Sequence, residues 1–569
     1  MIINKLAVFI IIFSLISCTT QIEENKEKST KKTLINPNID FKPNIIWIVA
    51  EDMSPFISSF GDSTIITPNL DKLASSGVCY DNFYSPHPVC APARASIITG
   101  MYANSIGASH MRTGPWYAGQ ATKERIEKNN KYLPEGIITY EAVPSPEIKM
   151  FTEYLRSSGY YCTNNKKEDY QFVKTPTAWD DNSNKAHWRN RPAGAPFFSV
   201  FNLEVTHESR IWSKKNDSLW VKEDLNVPIP PYLPNTEIVK KDIRRMYSNI
   251  LEMDAQVGEI LQQIEDDGLM DNTIIIWYTD HGGPLPRQKR LLYESGIKVP
   301  MIIRFPNEQF KGQRDDRMIS FVDLAPTMLS IAKINVPDYM NGTAFLGNSI
   351  RSNEVKYIFG AADRFDEFTD RIRSVKGKQF KFIKNFIPEK SLYSDLAYRK
   401  QMPIMQELLR LQKEGQLTKY QALWFRDKKP PEELYDLYND PHELNNLAEN
   451  PEYKVKLQEL RQVCEEWIAN INDTGMMDEK ELIAKFWPHG VQPQTADPEI
   501  IIDNTKISIH CKTEGASIGY KIVMLDDDPA EKNWLVYSEP IELANNSKIV
   551  AIAHRIGYKR SKEVIINTK

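Results

Sequence analysis

Short apolar runs rich in β-branched and aromatic residues recur along the first half of the chain, at residues 45–50, 196–203 and 273–279. Continuous runs of this kind are typical of strands covered on both faces, as in a parallel sheet. Helical patterns lie between them, at residues 69–76, 93–99 and 241–267. The alternation predicts an α/β domain with a mostly parallel central sheet flanked by helices, over residues 41–385.

Two smaller units are predicted further along the chain. Polar helical runs around one strand-like segment predict an α+β subdomain over residues 386–494. Short alternating segments, such as 506–511 and 547–553, then continue to residue 569 with turn residues between them. They predict a terminal all-β domain over residues 495–569 that resembles a small sandwich.

The N-terminus has the pattern of a processing segment. Lys5 precedes an apolar run at residues 6–17, which is too short to span a membrane comfortably and ends in Leu-Ile-Ser followed by Cys18. This ending resembles a bacterial lipobox, which implies a signal peptide over residues 1–17, lipidation of Cys18 and a polar tether over residues 18–40. We therefore expect an exported lipoprotein anchored to the outer membrane, at the cell surface or facing the periplasm; a plain secretory signal is the alternative.

Charge and cysteine content exclude some classes of protein. The 71 lysine and arginine residues against 75 acidic residues give a net charge of −4, whereas a dedicated nucleic-acid binder is usually basic. Nucleic acid is therefore not an expected partner, and a polyanionic substrate would need a local basic cluster. The six cysteines are too widely spaced to indicate a compact disulfide framework.

Acidic residues follow two of the predicted strands directly. The first strand ends in Glu51 and Asp52, and the strand at 273–279 ends in Asp280 and His281. Ligands of open parallel sheets bind beyond the carboxyl ends of the strands, so these side chains are expected in one crevice. Clustered carboxylates need a compensating cation, and oxygen ligands favour Ca²⁺ or Mg²⁺, although the imidazole makes that assignment less clean. Taken alone, either acidic pair is equally compatible with a turn or a helix cap.

Cys90 lies just before a predicted helix whose first turn contains Pro92. The helix amides and Arg94 would place positive potential around it. A structural cysteine and a reactive thiol of low pKa are the two interpretations that the local pattern allows.

The segment Cys90-Ala91-Pro92-Ala93-Arg94 resembles the Cys-x-Pro-x-Arg core of the formylglycine-dependent type I sulfatases, which have an alkaline-phosphatase-like fold. Residues 95–100 and 67–74 resemble further stretches of that family, and the strand-end carboxylates occur in its order. The resemblance extends from about residue 43 to about residue 450. It implies a sulfuric ester hydrolase, similar to lipoprotein sulfatases of bacterial polysaccharide degradation.

The resemblance also implies roles for individual residues. Cys90 corresponds to the position that a formylglycine-generating enzyme oxidises to formylglycine, and Arg94 to the arginine that stabilises this nucleophile. Lys289 and His207 correspond to a lysine and a histidine that face the sulfate. The divalent metal, expected to be Ca²⁺ with Mg²⁺ as the alternative, would be held at the positions of Glu51, Asp52, Asp280 and His281. The family usually has Asp in place of Glu51.

The chain departs from the family after Gly159-Tyr160. Where many sulfatases have Gly-Lys-Trp-His, the count places Lys167 at the lysine and Asp169 at the histidine, with Lys166 as the alternative register. Lys167 is therefore a candidate sulfate contact, and Asp169 a weaker candidate for handling the proton of the nucleophile. A solvated charged loop is the competing interpretation.

The expected substrate is a sulfated oligosaccharide or polysaccharide, with ulvan first and carrageenan or a glycosaminoglycan as alternatives. His110, Arg112 and Arg290 lie outside the core motif and are candidates for substrate binding. The terminal β domain resembles a small C-terminal domain of some chitobiases; we expect a structural cap, and a weak glycan-binding module is the alternative. The competing functions are a phosphomonoester or phosphonate-ester hydrolase of the same fold and a catalytically inactive glycan-binding lipoprotein.

Overall fold

The computed structural model describes residues 34–116, 122–503, 506–542, 544 and 546–568, so Cys18 and the predicted signal peptide lie outside the described residues. The apolar runs of the first half form strands of one eight-stranded sheet. Its strands are β1 (Asn44–Ala50), β2 (Val78–Tyr84), β3 (Tyr161–Asn165), β4 (Asp181–Asn182), β5 (Phe197–Leu203), β6 (Thr273–Thr279), β7 (Lys298–Arg304) and β8 (Gln313–Ser320).

These strands lie in the order β4-β3-β5-β1-β6-β7-β2-β8. Neighbouring strands are parallel except around β7, which runs antiparallel to β6 and to β2. Every residue of β1 and β6 is buried, because helices cover both faces. The predicted mostly parallel α/β sheet is confirmed.

The helices are α1 (Pro68–Ser76), α2 (Cys90–Thr99), α3 (Lys123–Asn130), α4 (Phe151–Ser157), α5 (Ser209–Ser213), α6 (Glu237–Asp266), α7 (Glu294–Ile297), α8 (Leu324–Ile331), α9 (Pro403–Lys413), α10 (Lys419–Ala422), α11 (Lys454–Asn470) and α12 (Glu479–Phe486). All of α2 is buried, as expected for a helix enclosed by the core. The long α6 begins four residues earlier than the pattern predicts, because the Thr236 side chain caps it by accepting from the Val239 amide. No described helix combines the length and apolar character needed to cross a membrane.

A second sheet is antiparallel throughout. It consists of β9 (Ile358–Ala362), β10 (Ile372–Lys376), β11 (Phe380–Asn385) and β12 (Glu432–Asp436), in the order β12-β11-β10-β9. Helix α11 packs against it through an apolar cluster that includes Phe382, Leu434 and Leu460. The sheet takes strands from both sides of residue 385, and the domain boundary placed there stays a prediction.

The C-terminal region forms two further antiparallel sheets. Their strands are β13 (Glu499–Asp503), β14 (Lys506–His510), β15 (Ser517–Met524), β16 (Leu535–Val536), β17 (Ile541–Glu542), β18 (Ser547–His554) and β19 (Val564–Asn567). The sheets β13-β14-β17 and β16-β15-β18-β19 share an apolar core that contains Ile507, Ile509 and Ile549. This is the all-β architecture that the alternating pattern predicts.

Candidate active site

The ends of β1 and β6 bring the predicted acidic residues together. The two strands are parallel neighbours in a register that pairs Ala50 with Thr279, so the residues that follow them emerge at the same edge. The amide of Asp280 donates to the Ala50 carbonyl (3.1 Å), and the amide of Asp52 donates to Oδ1 of Asp280 (3.1 Å). Backbone bonding between strand ends therefore fixes the spacing of the carboxylates.

Cys90 faces this edge. It is the first residue of α2, whereas the sequence pattern places it just before the helix. Its Sγ lies 3.2 Å from Nε2 of His281 and 4.0 Å from Oδ1 of Asp52. Ligand atoms of Asp52, Cys90, Asp280 and His281 all lie within 4.8 Å of one another, and all four residues are buried. Four predicted site residues from three distant segments thus form one cluster.

Three cations surround the cluster. Arg94, one helical turn after Cys90, places Nε and one terminal nitrogen 3.2 and 3.1 Å from Oδ2 of Asp280. Nζ of Lys289 lies 2.7 Å from Oδ2 of Asp52, and Nζ of Lys167 lies 2.6 Å from Oε1 of Glu51. A site that combines buried carboxylates with buried cations is suited to an anion that carries its own diffuse charge.

The charges shift the pKa values of the cluster. Burial raises the pKa of the Cys90 thiol, but the ammonium groups of Lys167 and Lys289 together have the larger opposite effect. The resulting pKa is lowered to about 6. Burial lowers the pKa of His281, whereas the carboxylate of Asp280 raises it, to about 10. The electrostatic potential at residue 90 is therefore positive enough to stabilise an anionic nucleophile.

Glu51 lies beside the other predicted metal ligands and shares a nitrogen of Arg94 with Asp280. Its Oε1 contacts Lys167 and lies 3.6 Å from Arg94, and it is not part of the group around Cys90. The structure therefore shows Glu51 as a partner of Lys167 and Arg94, and its role as a metal ligand stays a prediction.

The loop after β3 contains the two lysines of the alternative registers. Lys167 reaches Glu51 with a side chain that is 15% exposed, whereas Lys166 is exposed at the surface of the cavity. Asp169 is buried nearby at a positive φ of 58° and lines the same cavity. The geometry therefore favours Lys167 and leaves Asp169 within the site.

His207 follows β5 and faces Lys289. Its Nε2 lies 3.3 Å from Nζ of Lys289 and 3.9 Å from Oδ2 of Asp52, and its Nδ1 lies 2.9 Å from the Ser209 hydroxyl. The imidazole and the ammonium group thus form a pair beside Asp52. His207 lines the cavity, whereas Lys289 is buried next to it.

Glu208 is a site residue that the sequence analysis missed. Its backbone amide donates to Oδ2 of Asp52 (2.7 Å), and its buried carboxylate accepts two bonds from Arg290 (3.0 and 2.7 Å). Nζ of Lys289 lies 3.2 Å from the same carboxylate. The only sequence signal was its position directly after His207, because its partners are 82 and 156 residues away.

The predicted substrate-binding residues separate in the structure. Arg112 and Arg290 line the cavity, although Arg290 is committed to Glu208. His110 does not reach the cavity; it is 4% exposed, and its Nδ1 lies 4.0 Å from Oε2 of Glu479. The prediction of His110 as a substrate contact is therefore wrong, because the fold directs its ring toward the buried Glu479 and away from the cavity.

A cavity of about 1660 Å³ opens above the cluster. Glu51, Lys167, His207 and Arg290 line it, together with residues of α3 and of the terminal β domain among others. The space exceeds that of a single small ligand and accommodates several sugar residues.

The chain is similar to known proteins over most of its length. A family model described as Sulfatase matches residues 43–334, and a model described as N-sulphoglucosamine sulphohydrolase, C-terminal, matches residues 287–412. An ulvan-active sulfatase of Formosa agariphila is 48% identical over 588 residues, covering 97% of this chain and 96% of that protein.

Two solved structures share the fold at low identity. A protein in complex with its substrate D-glucosamine-2-N,6-O-disulfate has a TM-score of 0.53 at 18% identity, covering 78% of this chain and 100% of that chain. A phosphonate monoester hydrolase of Agrobacterium radiobacter has a TM-score of 0.50 at 15% identity, covering 75% of this chain and 96% of that chain. At such identities the likeness concerns the fold alone.

Proposed function

The chain belongs to the sulfatase family, and we propose that it hydrolyses sulfate esters of an ulvan-type algal polysaccharide. Membership makes it a sulfuric ester hydrolase. The observation that carries the finer assignment is the 48% identity to an ulvan-active sulfatase over 97% of this chain. Carrageenan and glycosaminoglycans are the alternative substrates. The match of residues 287–412 to the N-sulphoglucosamine sulphohydrolase model supports a sulfated amino sugar among them.

Residue 90 is proposed to act as formylglycine, made from Cys90 by a formylglycine-generating enzyme. When hydrated, formylglycine supplies two geminal hydroxyls, one to attack sulfur and one to release the sulfate afterwards. A plain thiol lacks the second hydroxyl and would stay sulfated. The position is supported by the positive surroundings of residue 90, where Lys167 and Lys289 lower the pKa of the thiol to about 6.

The remaining residues have roles that follow from their positions. Lys167, Lys289 and Arg94 are held in place by ion pairs with protein carboxylates, and they counter the negative charge on the sulfate oxygens. His207 or a lysine donates a proton to the leaving alcohol oxygen, and Nε2 of His207 lies 3.3 Å from Nζ of Lys289. Asp169 is the candidate acceptor for the proton of the nucleophile.

A divalent metal fits the same cluster. Asp52, Asp280 and His281 converge with residue 90 within 4.8 Å in a buried site, and two of these three ligands are the carboxylates that Ca²⁺ and Mg²⁺ prefer. The ion, proposed to be Ca²⁺ with Mg²⁺ as the alternative, would supply Lewis acidity that lowers the pKa of a hydroxyl on residue 90.

The location of the enzyme is proposed from its N-terminus. The lipobox-like sequence that ends in Cys18 supports a lipoprotein attached to the outer membrane, with the catalytic domain at the cell surface or facing the periplasm. A lipid anchor on a tether would keep the enzyme close to polymeric substrate while leaving the catalytic domain free to reorient.

The test is sulfate release from size-defined ulvan, carrageenan and glycosaminoglycan oligosaccharides, measured by ion chromatography, with mass spectrometry of the residue-90 peptide. We expect ulvan to be desulfated fastest, formylglycine at residue 90, and no release by Cys90→Ala. Full activity with an unmodified cysteine would overturn the nucleophile assignment.

The two competing functions give different outcomes in the same assays. A phosphonate or phosphate hydrolase would hydrolyse an aryl phosphate faster than the matched aryl sulfate. An inactive glycan-binding protein would retain ulvan without releasing sulfate, and Cys90→Ala would change nothing.

A further inference from the structure

The loop between β18 and β19 forms part of the wall of the active-site cavity. Tyr558, Lys559 and Arg560 of this loop line the same cavity as Lys167 and His207. The catalytic residues come from the large α/β sheet, whereas this loop belongs to the terminal β domain. The terminal domain therefore reaches the space that substrate must enter.

Backbone contacts on both sides hold the loop in place. Gly557 has a φ of +83°, and a side chain there would collide with the carbonyl oxygen of Ala142. The Gln492 amide donates both to Glu141 (2.8 Å) and to the carbonyl of Gly557 (3.2 Å). The Lys559 amide donates to the carbonyl of Pro493 (2.8 Å). The loop is thus fixed to residues 141–142 and 492–493 independently of its exposed side chains.

The side chains of Lys559 and Arg560 have no role in that attachment. Both residues are exposed, and within the described part of the chain neither side chain forms an ion pair or a hydrogen bond. Arg555 at the start of the loop differs, because it donates to the Pro144 carbonyl (3.2 Å) and stacks 4.7 Å from the Tyr558 ring centroid. Two unpaired cations on a rigid backbone are preorganised for an anion.

The charge of the cavity also favours binding of an anion. Lysine and arginine residues outnumber carboxylates along its walls, and four ion pairs within the lining remove equal numbers of each, so an excess of positive charge remains. Lys167 and its neighbours account for one anionic group at the base of the cavity. Lys559 and Arg560 lie outside that cluster, so they are available for a second anionic group of the same substrate.

We propose that Lys559 and Arg560 form a subsite for an anionic substituent, a sulfate ester or a carboxylate, on a sugar next to the one that carries the scissile sulfate. Tyr558 offers its ring as an apolar surface beside that sugar. The subsite rests on the proposed function, because it requires a glycan with more than one charge. It assigns the terminal β domain a part in substrate recognition beyond that of a structural cap.

The test compares Lys559→Gln/Arg560→Gln with a matched control, Lys512→Gln/Lys562→Gln, which removes two exposed charges from the same domain away from the cavity. The measured quantity is the ratio of kcat/KM on a sulfated oligosaccharide to kcat/KM on 4-nitrophenyl sulfate. Because each exposed charged contact contributes roughly 0.5 kcal/mol, we expect the ratio to fall about fivefold in the first variant through KM. The control should keep the wild-type ratio.

Ionic strength gives a second measurement. Salt screens exposed charges. Raising the ionic strength should therefore lower the kcat/KM ratio of the wild-type enzyme more than the ratio of the Lys559→Gln/Arg560→Gln variant. An unchanged ratio in that variant, or an equal fall in the control, overturns the subsite. A wild-type enzyme that desulfates carrageenan or a glycosaminoglycan in place of ulvan overturns only the ulvan assignment. One that hydrolyses 4-nitrophenyl sulfate but desulfates none of the three glycans overturns both proposals.

Discussion

Replacing Glu208 with Gln tests whether this missed residue positions Lys289 and Arg290. Glu208 is 1% exposed, and its carboxylate accepts from Arg290 at 3.0 and 2.7 Å with Lys289 at 3.2 Å. Glutamine keeps the volume and one acceptor oxygen but loses the charge and one charge-assisted bond. A bond of that kind contributes about 1.5–3 kcal/mol, so kcat/KM should fall about 10- to 150-fold.

The assay measures kcat and KM separately on 4-nitrophenyl sulfate and on an ulvan oligosaccharide, with thermal unfolding followed in parallel. The matched control is Glu204→Gln, which removes a carboxylate that is 48% exposed and lies 3.8 Å from Arg210 on the same cavity wall. Because exposed pairs contribute little, that variant should change kcat/KM by less than about threefold.

A double-mutant cycle separates positioning from general destabilisation. The loss of kcat/KM in each variant is converted to a free energy. If Glu208 acts through Arg290, the loss in the Glu208→Gln/Arg290→Gln double variant should be smaller than the sum of the two single losses, by about 1 kcal/mol or more. Strictly additive losses, or wild-type kinetics in Glu208→Gln, would refute the reasoning. If the variant loses activity only at temperatures at which it unfolds, the role of Glu208 is structural.

Three further predictions concern the lysine register, the metal and the pH dependence of stability. Lys167→Gln should lower kcat/KM on 4-nitrophenyl sulfate about 10- to 150-fold, while Lys166→Gln should change it less than about threefold; equal effects would contradict the register. Dialysis against EDTA should abolish sulfate release and lower the melting temperature, with Ca²⁺ restoring both better than Mg²⁺; full activity in metal-free enzyme, verified by atomic absorption, would exclude the metal. Burial raises the pKa of Asp242 from 3.8 to about 7, so its contribution to stability is present below 3.8 and is lost as the pH rises through 7. Asp242→Asn keeps the acceptor for the Ile404 amide (2.7 Å), and its melting temperature by calorimetry should therefore fall less than that of wild type between about pH 5 and about pH 8.5; parallel curves would contradict the pKa.

Local pattern was sufficient for much of the fold. The apolar run at 273–279 is β6 to the residue, and the run at 45–50 lacks only Asn44 of β1, because continuous burial on both faces selects the same residues as continuous apolarity. The same logic could not show that β7 runs antiparallel. Strand direction depends on the connection that precedes a strand, and a buried strand has the same composition in either direction.

Site residues were predictable where a motif or a strand end marks them and not elsewhere. Cys90, Asp52 and Asp280 follow from such marks, whereas Glu208 acquires its role from Asp52 and Arg290, which only the tertiary fold brings near. His110 was misplaced for a similar reason. Its burial against Glu479 depends on a residue far along the chain, which only the tertiary fold brings near.

The burial of Cys90 limits when the proposed modification can take place relative to folding. Its side chain is 1% exposed beneath the ends of β1 and β6, and His281, which covers it at 3.2 Å, is made 191 residues later in the chain. If Cys90 is converted to formylglycine as proposed, the modifying enzyme must reach it as an unfolded segment, before the second strand end has closed over it. The rate of folding would then compete with the rate of modification, so slowing the docking of β6 would raise the modified fraction without changing any residue that contacts substrate.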